Sequence, residues 1–343
     1  MKNNKLKICI ISIFFGKLPE WINVWAKTAS YNSKIDFLFI TDQNFSVNKK
    51  NFKIINFTFE DFKKLALEKL QFKIKLNTPY KLCDYKEVWG LILEDYIKEY
   101  DFWGECDTDV VFGDLCHYFD EYELYKYDKF GCRGHLTLYR NSKDVIERYK
   151  MKGSWFGNYK EVFSSNRIWA FDETPGINAI YESNSFPYMD KILFGDIDVN
   201  YNDLRLVEFD VECPSNYERQ LFVWSNGKLL RKYLKNGEIC YDELMYIHLQ
   251  KRKMKSPTFD VDNIDEFLII NGDFVQLEEP ISIKYFDQYN IRDNNQRTKT
   301  KFGGKYKKDL RFFWIGRRIL NLEFDLKNFI KKTFIYKCLK KGE

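Results

Sequence analysis

Residues 100–109 of the chain are YDFWGECDTD. The apolar core of this stretch, Phe102 to Cys106, predicts a buried β-strand that ends at Asp107. The segment before it, from Asp84 to about Tyr100, carries apolar side chains at the spacing of one buried helical face, with Asp84 as a candidate N-cap. A helix followed directly by a buried strand is one repeating unit of an α/β sheet.

The same alternation of strands and helices fills the residues upstream. The patterns predict strands over 6–15, 35–40 and 52–57, and helices over 20–31 and 60–72. This order predicts a Rossmann-like, mostly parallel central sheet with helices on both faces. Ligands of such sheets bind beyond the carboxyl ends of the strands. The residues at those predicted ends are Phe15, Gly16, Thr41, Asp107 and Asp109.

The tripeptide Asp-x-Asp occurs three times, at 107–109, 196–198 and 260–262. Because ~1 to 2 matches are expected by chance in a chain of this length, the context must separate them. Only the first match ends a strongly apolar strand. Two carboxylates at i and i+2 on a loop that leaves a strand can face one divalent cation, and their hard oxygen atoms favour Mg²⁺ or Mn²⁺. The alternative is a pair of solvated aspartates in a turn.

The composition predicts a soluble globular enzyme. The 343 residues carry a net charge of +5, with 45% hydrophobic and 31% charged residues, which excludes a disordered chain and a purely electrostatic binder. The eight cysteines include no CxxC pair, so we expect reduced thiols and a cytoplasmic protein. No stretch approaches the ~18 to 20 apolar residues of a membrane span.

The positive charge is concentrated at the C-terminus. Residues 297–343 contain fifteen Lys or Arg and four Asp or Glu, a net charge of +11, which leaves −6 for residues 1–296. Aromatic and aliphatic residues alternate with the basic ones, which predicts a basic amphipathic helical tail. One expectation is that this tail lies on an anionic membrane surface. The other is a helix pair packed on the core, and we expect no nucleic acid partner.

Four motifs together resemble one known family. They are FFGKLPEW at 14–21, FITD at 39–42, PYKLCDYK at 79–86 and the stretch at 100–109. Over about residues 6–255, the chain resembles a bacterial family of capsule and lipopolysaccharide sugar transferases. The resemblance implies the glycosyltransferase-A type of α/β fold, an Asp-x-Asp site for Mn²⁺ or Mg²⁺, and a nucleoside-diphosphate sugar as donor, with uridine as the expected base.

This resemblance also implies a domain organisation. Residues 1–255 would form the catalytic domain, with a nucleotide-binding half at about 1–115 and an acceptor half at about 116–255. Residues 256–296 would be an accessory segment packed on the core, and 297–343 the basic tail. The acceptor would be a saccharide or lipid-linked saccharide of a growing surface polysaccharide, and the basic tail would hold the enzyme at the inner face of the cytoplasmic membrane.

The resemblance assigns the metal and diphosphate contacts first. Asp109 would be the main metal ligand, Asp107 would reach the metal or the donor ribose, and His248 would be a third ligand. Lys251 would contact the diphosphate. A core histidine with nitrogens bonded to the backbone is the alternative for His248.

Other positions would contact the donor and the acceptor. Lys81, Asp84 and Lys86 would contact the nucleotide and the donor sugar, although Asp84 is equally a candidate helix N-cap. Phe15, Gly16 and Thr41 would hold the base and ribose, and His135 would border the donor sugar. Glu173, with Asp172 as second choice, would act on the acceptor hydroxyl as a base in an inverting reaction, or orient it in a retaining one. The alternative is a helix start at Thr174-Pro175 that favours nearby acidic groups.

Two other functions fit parts of the sequence. A non-catalytic carbohydrate-binding or lipid-surface-binding protein would explain the 18% aromatic content and the basic tail. A sugar-phosphate nucleotidyltransferase uses a similar sheet and metal, but it needs a glycine-rich phosphate loop after the first strand. Here that loop contains the single glycine Gly16.

Overall fold

A computed structural model describes residues 6–156, 158–250 and 252–289. The strands are, in chain order, β1 (Ile8–Phe14), β2 (Asp36–Thr41), β3 (Phe52–Asn56), β4 (Phe102–Cys106), β5 (Val110–Phe112), β6 (Lys129–Phe130), β7 (Leu136–Arg140), β8 (Tyr188–Met189), β9 (Gly195–Asp196), β10 (Gln220–Ser225), β11 (Lys228–Lys235), β12 (Glu238–Leu244), β13 (Tyr246–His248), β14 (Glu266–Ile270) and β15 (Asp273–Gln276).

The α-helices are short apart from the first two. They are α1 (Ile22–Tyr31), α2 (Phe59–Leu70), α3 (Trp89–Ile92), α4 (Glu94–Ile97), α5 (Leu115–Glu121), α6 (Lys143–Ile146), α7 (Tyr159–Phe163), α8 (Ala179–Ser183) and α9 (Ile283–Tyr289). Segments of 3-10 helix lie at Pro79–Val88, Leu124–Lys126, Arg148–Lys150 and Val261–Asn263, and a π-helical turn lies at Thr174–Asn178.

The central sheet of the described residues has the strand order β3-β2-β1-β4-β7-β6-β8. The strands β3, β2, β1 and β4 are parallel, β7 is antiparallel to both of its neighbours, and β8 is parallel to β6. The predicted mostly parallel α/β sheet is confirmed. Because β1, β2 and β4 are parallel, the loops that follow them leave the same edge of the sheet.

Helices cover both faces of the central sheet, as the alternation along β1 shows. Ile8 and Ile10 pack into one hydrophobic core with helix α1, whereas Ile11 and Ile13 pack into a second core with helix α2. Alternate residues of a strand point to opposite faces. The prediction of helices on both faces is therefore also confirmed.

A second, smaller sheet lies beside the end of β4, and we call it the bridging sheet. Its order is β5-β13-β9, with β13 antiparallel to β5 and parallel to β9. In this register His248 lies opposite Val110 on one side and beside Asp196 on the other. The bridging sheet thus brings together three segments that are far apart in the sequence.

A third sheet, with the order β12-β11-β10-β14-β15, packs against the face that carries α1. The indole Nε1 of Trp224 donates to the carbonyl oxygen of Phe112 at 3.0 Å, and its ring meets Tyr31 edge-on. The predicted domain boundary at residue 255 falls inside this sheet, between β12 and β14. The predicted tail at 297–343 lies outside the described residues.

The predicted helix from Asp84 to Tyr100 is wrong. This part of the chain is instead the 3-10 helix Pro79–Val88 followed by the two short helices α3 and α4. Seven of the eight residues from 81 to 88 are buried, so the segment has no single apolar face. Asp84 is not an N-cap, because it lies in the middle of the 3-10 segment. Its carboxylate accepts from backbone N–H groups more than 80 residues away.

Candidate functional site

Two carboxylates and one imidazole converge at the carboxyl end of β4. The nearest ligand atoms of Asp107, Asp109 and His248 all lie within 4.8 Å of one another. The Nε2 atom of His248 is 3.3 Å from Oδ1 of Asp109. All three side chains are partly exposed, so a ligand can reach them from solvent. The residues that the sequence predicted as metal ligands therefore form one cluster.

Backbone hydrogen bonds fix the positions of the two aspartates. The N–H of Asp107 donates to the carbonyl oxygen of His135 at 3.2 Å, and the N–H of Leu249 donates to that of Asp109 at 2.8 Å. The indole Nε1 of Trp25, on α1, donates to the carbonyl oxygen of Asp107 at 3.2 Å. The loop after β4 is thus bound to α1, to the residue before β7 and to the residue after β13.

The charged groups of the cluster shift one another's pKa values. Burial disfavours the charged imidazole, but the carboxylates of Asp109 and Asp196 outweigh it and raise the pKa of His248 to about 10. Burial would raise the pKa of Asp109, but the charge of His248 lowers it overall. In the absence of a cation, the protonated ring therefore supplies the positive charge between the carboxylates. Two carboxylate oxygens and an imidazole nitrogen are a donor set that fits Mn²⁺.

Lys86 lies behind the cluster and joins three carboxylates. Its side chain is 4% exposed, and Nζ is 2.6 Å from Oδ1 of Asp107, 3.4 Å from Oε2 of Glu105 and 3.6 Å from Oδ2 of Asp172. Nζ also donates to the carbonyl oxygen of Gly134. Burial opposes its charge, but the three carboxylates raise the pKa of Lys86 well above its usual value. Lys86 thus orients Asp107 from inside the protein.

The two acidic residues predicted to act on the acceptor differ in their surroundings. Asp172 is buried, and burial raises its pKa well above the usual value against the effect of Lys86. A Cβ atom on Gly134 would overlap the Asp172 carboxylate, so a larger residue there would displace that side chain. Glu173 is half-buried, and its pKa is raised by burial against the effect of Arg133. The charge of Asp196 also raises the pKa of Glu173, and the charge of His248 lowers it.

Lys81 and Asp84 form a buried pair with each other. Nζ of Lys81 is 2.7 Å from Oδ2 of Asp84, and the two side chains are 2% and 0% exposed. The carboxylate also accepts the backbone N–H groups of Trp169 at 3.0 Å and Phe171 at 3.1 Å. This pair anchors the loop that leads to Asp172 and Glu173.

The predicted base and ribose residues lie at the ends of β1 and β2. Phe15 is buried against Phe59 and Phe62, with ring centroids 5.6 and 6.0 Å away. Gly16 has φ +96, has open space around it, and donates its N–H to Oδ1 of Asp42 at 2.9 Å. Thr41 is fully buried. Of these three positions, Gly16 is partly exposed and the other two are buried.

The three histidines of the chain differ in their surroundings. The ring of His135 stacks on His248 with centroids 4.2 Å apart, and its Nδ1 lies 2.9 Å from the hydroxyl of Tyr246. Burial lowers the pKa of His135 well below its usual value, so the ring is neutral. His117 is on the surface of α5, 3.3 Å from Glu121. Lys251 lies outside the described residues.

Sequence reasoning missed Asp196. This residue belongs to the second Asp-x-Asp, and its Oδ1 lies 2.8 Å from Nδ1 of His248. The signal was the short apolar run 192–194 with Gly195, which ends at Asp196 in the same way that β4 ends at Asp107. Strand β9 is only two residues long, which is too short for an apolar pattern to predict it.

Comparison with solved structures finds glycosyltransferases. A galactosyltransferase, LgtC, in complex with donor and acceptor sugar analogues is 11% identical, with 55% of this chain and 75% of LgtC covered and a TM-score of 0.30. Mouse xyloside xylosyltransferase 1 in its apo form is 10% identical, with 57% and 89% covered and a TM-score of 0.34. A glycosyltransferase involved in the glycosylation of the major capsid of PBCV-1 is 11% identical, with 55% and 85% covered and a TM-score of 0.33.

No curated protein matches the sequence. One sequence family does match, over residues 10–278, which is most of the chain and includes every candidate site residue. That family is described as a family of unknown function, DUF6625. The residues of the cluster at the end of β4 therefore lie within the part of the chain that defines its family, and the chain belongs to DUF6625.

Proposed function

We propose that this protein is a metal-dependent glycosyltransferase of the hexosyltransferase class. It would move a sugar from a nucleoside diphosphate, expected to be uridine diphosphate, onto a saccharide acceptor of a bacterial capsule or lipopolysaccharide. The observation that carries the proposal is the convergence of Asp107, Asp109 and His248 at the carboxyl end of β4. This edge is where α/β sheets bind their ligands.

Asp107, Asp109 and His248 would hold the cation, which is Mn²⁺ or Mg²⁺. When bound, a divalent cation neutralises the charge of a departing diphosphate. Lys86 keeps Asp107 aimed at this site, because its ammonium group lies 2.6 Å from Oδ1 and is enclosed by protein. Lys251, which the sequence places three residues after His248, would add positive charge for the diphosphate.

The nucleotide would lie along the loops after β1, β2 and β4. The backbone of Gly16 can approach a ligand closely, because no atom occupies the space beside it within 4 Å of a Cβ position. The bond from its N–H to Asp42 joins the loops after β1 and β2 into one surface. We assign the base and ribose to this surface, with Phe15 and Thr41 as its buried support.

The acceptor would bind on the side of Glu173. Its half-buried carboxyl can accept a proton from the attacking hydroxyl, and the burial that raises its pKa also makes it a stronger base than an exposed carboxylate. Trp155 contacts the loop that follows Glu173, since its N–H donates to the carbonyl oxygen of Pro175 at 2.8 Å. Its side chain is 46% exposed, which leaves part of the indole available to pack against a sugar.

A lipid-linked acceptor would explain the basic composition of residues 297–343. A tail with a net charge of +11 and interleaved apolar residues is attracted to anionic headgroups. In the part of the chain that the structure describes, no helix has the length and apolar character that crossing a bilayer requires. We therefore propose peripheral attachment at the cytoplasmic face of the membrane.

The test is donor hydrolysis by the purified full-length protein. A panel of nucleotide sugars with uridine, guanosine and cytidine is incubated with and without Mn²⁺, and the released nucleoside diphosphate is measured. We expect slow hydrolysis of one donor, only with the metal, and its loss in Asp109→Asn. Asp198→Asn is the matched control, because Asp198 belongs to the second Asp-x-Asp and lies outside the cluster. No hydrolysis of any donor, together with no nucleotide binding, would favour a carbohydrate-binding protein.

A further inference from the structure

We propose that Asp196 is a positioning residue that orients His248 toward the metal site, an inference that rests on the proposed function. Asp196 and Asp109 lie at opposite nitrogens of one imidazole. Oδ1 of Asp196 is 2.8 Å from Nδ1 of His248, and Oδ1 of Asp109 is 3.3 Å from Nε2. When a cation replaces the proton on Nε2, a carboxylate that accepts Nδ1–H fixes the tautomer whose Nε2 electron pair binds the cation.

The backbone of the bridging sheet fixes the distance between Asp196 and the ring. Strand β9 pairs with β13 so that Asp196 lies beside His248. The N–H of Ile197 donates to the carbonyl oxygen of His248 at 3.0 Å, and the N–H of Val207 donates to that of Asp196 at 2.7 Å. The contact is thus held by strand pairing and does not depend on side-chain rotamers alone.

Two further contacts hold the carboxylate and the ring in place. Nε2 of Gln250 donates to the same Oδ1 of Asp196 at 2.8 Å. On its face, His248 stacks on His135 with an interplanar angle of 21°. Because Asp196 is 8% exposed, water competes little for its carboxylate. The ring is therefore held at one edge by Asp196 and across one face by His135.

An alternative is that Asp196 is itself a metal ligand. His135, Asp196 and His248 also have ligand atoms within 4.8 Å of one another. The amide of Gln250 argues against this alternative, because it directs an N–H group at Oδ1 of Asp196, the oxygen that faces His248. His248 also cannot give Nδ1 to one cation and Nε2 to another while it remains a neutral imidazole. The geometry assigns Nδ1 to Asp196 and Nε2 to the site at Asp107 and Asp109.

The first arm of the test is Mn²⁺ binding to the full-length protein, measured by calorimetry so that affinity and stoichiometry come from one titration. We expect one Mn²⁺ per chain, and an affinity about 10- to 100-fold weaker in Asp196→Asn, as for other groups that orient a metal-binding histidine. Asp198→Asn should stay within about twofold of the wild type. Melting curves of the metal-free proteins check that each variant is folded.

The second arm reports on the ring itself. The chain has three histidines, so ¹⁵N-labelled imidazole spectra are simple to assign. With Zn²⁺ as a diamagnetic probe, we expect the Nδ1–H tautomer of His248 with Nε2 on the metal, and a mixture of tautomers in Asp196→Asn. A residue that only stabilised the fold would leave this spectrum unchanged. If Asp196→Asn does not fold, Gln250→Leu removes one support of Oδ1 and should shift the tautomer in the same direction to a smaller extent.

Three outcomes would overturn the inference, and they are distinguishable. Wild-type protein that binds no Mn²⁺ would refute the proposed metal site and this inference together. Wild-type binding with an unchanged affinity and ring spectrum in Asp196→Asn would refute the positioning role alone. A stoichiometry of two Mn²⁺ that falls to one in Asp196→Asn would make Asp196 a ligand.

Discussion

A mutation in the buried pair of Lys81 and Asp84 distinguishes a structural role of these residues from a role in donor binding. Replacing Asp84 by Asn removes the negative charge 2.7 Å from a lysine whose side chain is 2% exposed. It also leaves the N–H groups of Trp169 and Phe171 with a weaker acceptor. Removing one partner of a buried pair costs ~3 to 5 kcal/mol, because the other charge stays in the interior without compensation. We expect Asp84→Asn to lower the free energy of unfolding by that amount.

The assay is urea unfolding followed by tryptophan fluorescence. A matched control is Glu20→Gln, since Glu20 pairs with Lys17 at 3.6 Å on the surface, with side chains 64% and 83% exposed. Exposed pairs contribute ~0 to 1 kcal/mol, so this variant should stay close to the wild type. Adding Lys81→Met to Asp84→Asn should recover part of the loss, because it removes the uncompensated charge.

The reasoning would be refuted by the opposite pattern. If Asp84→Asn unfolds within about 0.5 kcal/mol of the wild type but no longer binds a nucleotide sugar, then Asp84 contacts the donor, as the family resemblance implied. Stabilising the fold through the buried pair would then not be the main role of this carboxylate.

Three further predictions concern other parts of the molecule. His248→Ala should weaken Mn²⁺ binding by about 100-fold or more, because it removes a ligand and not only its support; an unchanged titration would exclude it as a ligand. Burial lowers the pKa of Lys129 from 10.5 to about 8. Between these two pH values the unfolded chain therefore binds more protons than the folded chain, and the free energy of unfolding of the wild type rises with pH. The stability of Lys129→Met relative to the wild type should therefore fall between pH 8 and 10.5 in denaturation curves, and a pH-independent difference would contradict the burial argument. Trp155→Ala should raise the KM for a saccharide acceptor about 2- to 10-fold without changing donor hydrolysis, and an unchanged KM would place the acceptor elsewhere.

The fold and part of the site could be predicted because their signals are local. The apolar strand β4 and the aspartates that follow it are adjacent in the sequence, and strand periodicity places Asp107 and Asp109 at the edge of the sheet. His248 could be predicted only through the family resemblance, because its contact with Asp109 spans 139 positions. The sequence pattern around either residue carries no information on a contact with a residue so far along the chain.

The wrong helix prediction and the missed Asp196 both result from contacts between distant parts of the chain. The helix predicted from Asp84 fails because Lys81, Asp84 and Lys86 each have buried partners in different parts of the fold, and these contacts override the apolar periodicity. Asp196 was missed because β9 is defined by its pairing with β13, and the two strands are separated by about fifty residues. In both cases tertiary contacts decide the local structure.

The central claim is that Asp107, Asp109 and His248 hold one divalent cation through which a nucleoside diphosphate binds. The most direct measurement is the calorimetric titration of uridine diphosphate into wild-type protein and Asp109→Asn, each with and without Mn²⁺. The account predicts binding to the wild type only when Mn²⁺ is present, and none detectable in Asp109→Asn. Binding of equal strength without Mn²⁺, or in Asp109→Asn, would contradict it.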